Sequence, residues 1–376
     1  MQIITGKYTK IKVMADNVEE SAFKQLLDVA NQEIFKNTNV VVQPDVHAGA
    51  GCVIGFTMPL TTFVVPNLIG VDIGCGVDGF YLGKNLNINF QEFDTYLRDH
   101  VPAGFNIHTS NKIPKSSELY NQVEDVTNRL ELKAERVFNS IGTLGNGNHF
   151  NELGKTTDEK YYLFIHSGSR NFGLQIANYY QKKAKEYITN NNIVGVQKGL
   201  EYLLLDSDEG KNYLRDMSIA QEYASLNRDH MAHVLLKYLK PNNLEKIATT
   251  HNYINLKDKI IRKGAIQANK GQKVLIPLNM RDGVIIGEGK GNPDWNYSAP
   301  HGAGRVLGRG AAKKTLDLTQ FENEMKGVWS SCVSKDTLDE SPMAYKPKEE
   351  ILKHVGDTID ILEFVKPIYN FKSSGE

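Results

Sequence analysis

VDIGCGV, residues 71–77, sets a carboxylate, Asp72, three residues from a thiol, Cys75, inside a glycine-rich turn. An apolar run from Phe63 to Ile69 leads into it, broken only by Pro66 and Asn67. Glycines at 70, 74 and 76 leave the backbone free to take tight or left-handed conformations that a side chain resists. A carboxylate and a thiolate fixed on one short loop make half of a metal site. The alternative is a tight turn capped by a buried aspartate, with the cysteine packed as a small hydrophobe. The rest of the chain decides between them.

Working outward, similar loops recur on both sides. PDVHAGAGCVIG, residues 44–55, follows a short strand expected over Val40–Val42. GTLGNGNHFNEL, residues 142–153, follows a charged amphipathic helix expected over 117–140. HSGSRNFG, residues 166–173, ends an apolar strand starting at Tyr161. HNYI at 251–254, SAPHGAGR at 298–305 and ESPMAYKP at 340–347 complete the series. Between them, apolar spacing predicts a strand pair within residues 1–16 and helices over 21–35, 91–100, 174–188 and 216–240. Strands are expected within 260–287 and over 360–371, and the mixed stretch 189–215 reads as an insertion. No repeat or linker divides the chain, so one α+β domain over residues 1–376 is expected, with the motif loops gathered in a cleft.

Bulk composition excludes several classes. Of 376 residues, 40% are hydrophobic and 23% charged, as in ordinary globular proteins. No apolar run approaches the roughly 20 residues of a membrane span, and the first 20 residues lack a signal peptide's apolar core. Three cysteines, Cys52, Cys75 and Cys332, are too few for a disulfide framework, which points to a reducing, cytoplasmic setting. Net charge is zero, so any nucleic acid must be held by a local patch rather than by a general positive field.

His47, His149, His166 and His301 stand at the ends of expected strands beside glycines or small polar residues, and His251 lies between two threonines and Asn252. One such histidine is more often structural than a ligand. Five in one kind of setting, together with Asp72 and Cys75, form the donor set of first-row metals. His100, His108, His230, His233 and His354 sit in helical or irregular context and read as structural. The GNGNH and HGAGR loops offer backbone N–H groups suited to phosphate oxygens, and Arg170, Arg305 and Arg309 add guanidinium forks. A helix starting at Gly302 would place Arg305 and Arg309 on one face. Singly, each arginine reads better as a surface ion pair.

Seven motifs in fixed order, PDVHAGAG, GVDIGCGV, GNGNHFNE, HSGSRNFG, HNYI, SAPHGAGR and AYKP, resemble the RtcB family of GTP-dependent RNA ligases, in a short bacterial-type branch. Lys372 extends the likeness almost to the C-terminus. The resemblance implies an α+β RtcB-like domain with a dinuclear metal site in a central cleft, and two Mn²⁺ ions held by Asp72, Cys75, His149, His166 and His251, with Cys75 bridging. It makes His301 the residue that becomes guanylylated. It puts Asn148, Glu152, Tyr345 and Lys372 around the guanosine nucleotide, and Asp45, His47, Arg170, Arg305 and Arg309 near the RNA phosphates. The implied reaction joins an RNA 3′-phosphate or 2′,3′-cyclic phosphate to a 5′-hydroxyl, in RNA repair or tRNA processing. GTP is the implied cofactor, and an archease-type protein is a candidate activator.

Two points stay open on residues alone. A Cys/His/Asp donor set suits zinc at least as well as manganese. In place of the PGSMG-like loop usual in the family, this chain has IPLNMRDG, residues 276–283, which puts Asn279 and Arg281 near the nucleotide and leaves GTP against ATP unsettled. The alternative activity is a metal-dependent RNA-end phosphatase or cyclic phosphodiesterase that does not ligate. A non-catalytic RNA-end binder would have little use for a nucleophilic histidine beside metal ligands.

Overall fold

Two antiparallel-rich sheets carry the fold in a computed structural model that describes residues 1–373. The first sheet runs in the order Gln2–Thr5, Lys10–Val13, Val40–His47, Ile54–Pro59, Ile260–Lys263, Asn252–Asn255. Its one parallel pair is Lys10–Val13 beside Val40–His47. The second sheet runs Glu245–Thr250, Gly76–Gly83, Tyr161–Ser167, Phe150–Lys155, Ile359–Lys372, Val284–Gly289, Lys273–Pro277, antiparallel throughout. A short ribbon pairs Ala265–Gln267 with Ser298–Pro300. The result is a mixed α+β fold.

Alternation along the strand Tyr161–Ser167 shows how the second sheet is used. Leu163 and Ile165 pack with Phe93, Leu97, Met231 and Leu235 of the helices behind. Tyr162 and Phe164 pack on the opposite face with Leu275, Val284 and Val365. Successive residues of a strand point to opposite faces, so His166 falls on the same side as Phe164. A larger apolar cluster lies between the first sheet and the helices Glu20–Ala30, Arg170–Asn190 and Asp208–Leu239, with Phe35, Phe56, Phe172, Tyr180 and Tyr213 all buried. Fully burying each large apolar side chain contributes roughly 1.5–3 kcal/mol. No helix among the described residues is long and apolar enough to cross a membrane.

Most expected elements are present with shifted ends. The strand at Val40 continues through the PDVH motif to His47, and the helix expected over 216–240 begins at Asp208, capped by Ser207. The helix expected over 21–35 stops at Ala30, with a separate turn at Glu33–Phe35, and two further expectations fail for physical reasons. The helix expected over 117–140 is two, Glu118–Arg129 and Ala134–Phe138. Glu131 takes φ +54° and the Leu132 amide donates back to Thr127 O at 2.8 Å, a left-handed stop without the glycine that usually signals one. No helix starts at Gly302. Gly304, at φ +74°, lies so close to Asp45 that a Cβ would come within 2.4 Å of its carbonyl oxygen. The loop bonds instead to 344–346 through Lys346 N to Gly304 O and Val306 N to Ala344 O, and the helix begins only at Arg309.

Candidate active site

The five singled-out histidines all reach one end of the two sheets. His47 closes its strand opposite Ile54, and His166 lies between Val77 and Phe150. His149 immediately precedes the strand Phe150–Lys155, His251 joins the two sheets between Thr250 and Asn252, and His301 follows Pro300. They border or back a cleft of about 570 Å³, whose walls include Asp72, Cys75, His166, His251 and His301.

VDIGCGV supplies the cleft floor. Gly70 and Gly74 take φ +87° and +72°, as a left-handed turn requires. Gly76 is extended and is needed for another reason: a Cβ there would meet Thr249 O at 2.2 Å. The turn closes with Cys75 N donating to Asp72 O at 3.2 Å. Cys75 Sγ then lies 3.4 Å from His149 Nε2 and 3.2 Å from His166 Nε2. Asp72 Oδ2 is 2.9 Å from that same His149 nitrogen, and its other oxygen accepts the Ser169 amide at 3.1 Å. His251 is tied in through its backbone, whose N–H donates to Cys75 O at 2.9 Å, and its ring stands 5.2 Å from that of His166.

The donor atoms of Cys75, His149 and His166 all lie within 4.8 Å of one another, buried. His149 Nδ1 has two neighbours, the Leu144 carbonyl at 3.0 Å and Arg170 Nη1 at 3.2 Å. The shorter contact, a donation to Leu144 O, leaves the Nε2 electron pair facing the Asp72 carboxylate and the Cys75 sulfur. Converging electron pairs need a cation among them, either a proton or a metal ion. Burial, reinforced by Asp72, pushes the Cys75 thiol well above its ordinary value. Burial also pulls His166 and His251 well below theirs, so their imidazoles are neutral and able to ligate. One ring nitrogen on each, Nδ1, is buried without a hydrogen-bond partner. The donor set fits a first-row metal, which would reverse the thiol's shift.

Across the cleft, His301 is fixed by Asp45. The fully buried carboxylate accepts both the His301 amide, at 3.1 Å, and the ring Nδ1–H, at 2.6 Å, on one oxygen. In the neutral ring this makes Nε2 the nitrogen that carries the electron pair. The His301 ring lies 4.7 Å from that of His251, so the free nitrogen and the thiol–imidazole cluster share one cleft. His47 also lines it, with Nδ1 bonded to Asp45 O at 2.9 Å, and burial lowers its imidazole to about 4.

A second wall is built around Glu340. This buried carboxylate meets Lys372 at 3.0 Å, Arg309 at 2.6 Å, Arg305 at 3.2 Å and the Tyr345 hydroxyl at 2.6 Å. Burial alone would raise its pKa, but Lys372, Arg309 and Arg305 together pull it down to about 2. Arg305 also donates to the carbonyls of Leu307 and Asp339, and Arg309 to the Asp339 carboxylate. Both arginines line the cleft, but with partners already in place. Arg170 takes φ +56°, and its guanidinium presses against Gly145, where a Cβ would come within 1.6 Å of it; its Nε has no partner.

Lys372 also donates to Asn148 O at 3.1 Å. Glu152 accepts from Asn370 on one oxygen at 2.7 Å and has no partner on the other, and burial raises it to about 8. Asn279 lines the cleft as a turn cap, accepting the amides of Arg281 and Asp282 and donating to Asp282. Sequence reasoning missed Glu340, Asn370 and Lys346, whose ammonium holds the carbonyls of Pro44 and Val46 on either side of Asp45. Glu340 and Lys346 flank the SPMAY segment, and that spacing was the available signal.

The chain is 29% identical to the RNA-splicing ligase RtcB of Escherichia coli strain K12, over 98% of each chain. It is 27% identical to the tRNA-splicing ligase RtcB of Aeropyrum pernix, over 87% of this chain and 86% of that one. It is 26% identical to the RNA-splicing ligase RtcB2 of Escherichia coli strain ATCC 25922, over 95% and 93%. The family model described as tRNA-splicing ligase RtcB matches residues 25–373, nearly the whole length, and the chain belongs to the RtcB family.

Proposed function

We propose that this protein is an RNA ligase that joins a 3′-phosphate or 2′,3′-cyclic phosphate end to a 5′-hydroxyl end, using GTP. The observation that carries the reading is His301, held through Nδ1 by Asp45, in one cleft with Cys75, His166 and His251. Asp72, Cys75, His149, His166 and His251 would hold the metal, two Mn²⁺ ions in the reading taken from the family. When bound, the metal supplies Lewis-acid stabilisation of charge on phosphoryl oxygens.

His301 performs the first step. Nε2 attacks the α-phosphorus of GTP, a P–N bond forms, the bond to the bridging oxygen breaks and pyrophosphate leaves. Asp45 holds the Nδ1 proton throughout and offsets the positive charge that the ring acquires. An oxygen of the RNA 3′-phosphate next attacks the same phosphorus, and the P–N electron pair returns to His301, giving RNA(3′)pp(5′)G. The 5′-hydroxyl then attacks the RNA phosphorus and GMP leaves. A cyclic phosphate is first opened by water. Glu152, with one oxygen unpartnered, is placed to accept from the base, and Tyr345, Lys372, Asn148 and Asn279 border the nucleotide. His47 lines the cleft and is open to RNA phosphate, whereas Arg170 stands behind His149 and does not border the cleft. Arg305 and Arg309 would reach the phosphate only by exchanging their carboxylate partners.

The test is a joining assay with two RNA strands, one ending in a 3′-phosphate and the other beginning with a 5′-hydroxyl, with GTP and Mn²⁺, beside His301→Ala. Joined product that disappears in the variant supports the ligase reading. Phosphate release without joining, unaffected by His301→Ala and lost in Cys75→Ala, would show the hydrolase instead.

A further inference from the structure

The helix Asp208–Leu239 presents two adjacent polar residues, Asn227 and Arg228, to the back of the metal-ligand cluster. Both are buried, Asn227 completely. Asn227 Oδ1 accepts the amides of Gly142 at 2.8 Å and Thr143 at 3.0 Å. Its Nδ2 donates toward Thr143 O, Ser167 Oγ and Gly168 O at 3.1, 3.0 and 3.2 Å. Arg228 Nη1 donates to Gly74 O at 3.1 Å and Ser167 O at 3.0 Å, while Nε pairs with the buried Asp78 at 3.0 Å.

The bonds land beside the ligands themselves. Gly74 precedes Cys75, Ser167 follows His166, and Thr143 precedes Leu144, whose carbonyl fixes His149 Nδ1. Three loops, separated by up to about a hundred residues of sequence, meet on two neighbouring side chains. Neither residue faces the cleft, and simple packing of this helix would be served by apolar side chains there, as it is at Met231 and Leu235. Partners one step behind the ligands set ligand orientation and metal affinity.

We propose that Asn227 and Arg228 are positioning residues of the metal centre, fixing the Cys75, His166 and His149 loops at the spacing that a metal ion requires. This rests on reading the cluster as a metal site. The test is Co²⁺ titration of the full-length, metal-stripped protein, followed by the sulfur-to-cobalt absorption band and the d–d bands, with the melting temperature measured in parallel. Asn227→Asp keeps the acceptor and removes the donor. Arg228→Lys keeps the charge facing Asp78, and so tests the proposal even where Asn227→Asp does not fold. Leu235→Ala, on the same helix, removes packing alone.

The expected result is Co²⁺ affinity about 10- to 100-fold weaker in Asn227→Asp and Arg228→Lys, with shifted d–d bands. Leu235→Ala should lose as much melting temperature and bind cobalt like the wild type. Unchanged affinity and bands in both polar variants overturn the proposal, as does an equal loss in Leu235→Ala. A wild type without a sulfur-to-cobalt band contradicts the metal reading, and this proposal with it.

Discussion

Asp45 Oδ2 accepts both the backbone amide and the ring Nδ1–H of His301. One carboxylate oxygen thus fixes where the histidine sits and which of its nitrogens is free. An asparagine at 45 keeps the shape, but its amide can face Nδ1 and favour the other tautomer. Asp45→Asn should therefore slow formation of the covalent nucleotide adduct on the order of 10²- to 10⁴-fold, with the fold intact. Single-turnover incorporation of labelled nucleotide measures this, and a change of less than about threefold would count against the tautomer argument.

Cys75 touches two imidazoles and is the only sulfur in the cluster. Cys75→Ala should lose bound metal, read by elemental analysis of the purified protein, together with all joining activity. Stoichiometric metal in that variant would refute its role as a ligand.

Glu340 holds two arginines, a lysine and a tyrosine. Its folded value of about 2 lies below the ordinary 4.5. The stability it contributes is therefore full above pH 4.5 and is lost as pH falls from there toward 2. The shift corresponds to roughly 3 kcal/mol. Glu340→Gln strands the cations and should destabilise by about 3–5 kcal/mol at pH 7. The loss should be smaller at pH 3, when measured by denaturant unfolding at both values. Equal losses at the two pH values would remove the assigned charge role.

Glu152 behaves in the opposite sense. Burial raises it to about 8, so the folded state favours the protonated acid, and stability falls as pH rises from 4.5 through 8. Glu152→Gln should accordingly raise the melting temperature at pH 8. A guanine base donates to a carboxylate, so the same variant should bind guanosine nucleotide about tenfold more weakly. Scanning calorimetry checks the first part and calorimetric titration the second, both at pH 8. A variant that binds as tightly as the wild type would separate Glu152 from the base.

The grouping of Asp72, Cys75 and the strand-end histidines was legible in the sequence because each sits in a local motif. Asp72 and Cys75 share one turn, and His47, His149, His166 and His301 each sit beside a glycine or a small residue at a strand end. Helix faces were legible for the same reason: apolar spacing over 216–240 marks a helix whose Met217, Tyr223, Met231 and Leu235 are buried. What was not legible depends on distant partners. Arg305 and Arg309 read as phosphate forks or, singly, as surface ion pairs; they pair instead with the buried Glu340, more than thirty residues away in sequence. A helix from Gly302 is the sequence reading for the loop Gly302–Gly308, but Asp45 and the 344–346 backbone hold it out of a helix. Asn227 and Arg228 carry no local signal in the sequence, and only the fold reveals what they fasten.

The most direct test of the central claim asks which residue carries the nucleotide. Purified protein is incubated with α-labelled GTP and Mn²⁺ without RNA, digested under alkaline conditions, and the labelled peptide is sequenced. The account predicts one acid-labile, alkali-stable guanylyl group on His301, absent from His301→Ala. A label on any other residue, or none in metal-loaded protein, would contradict it.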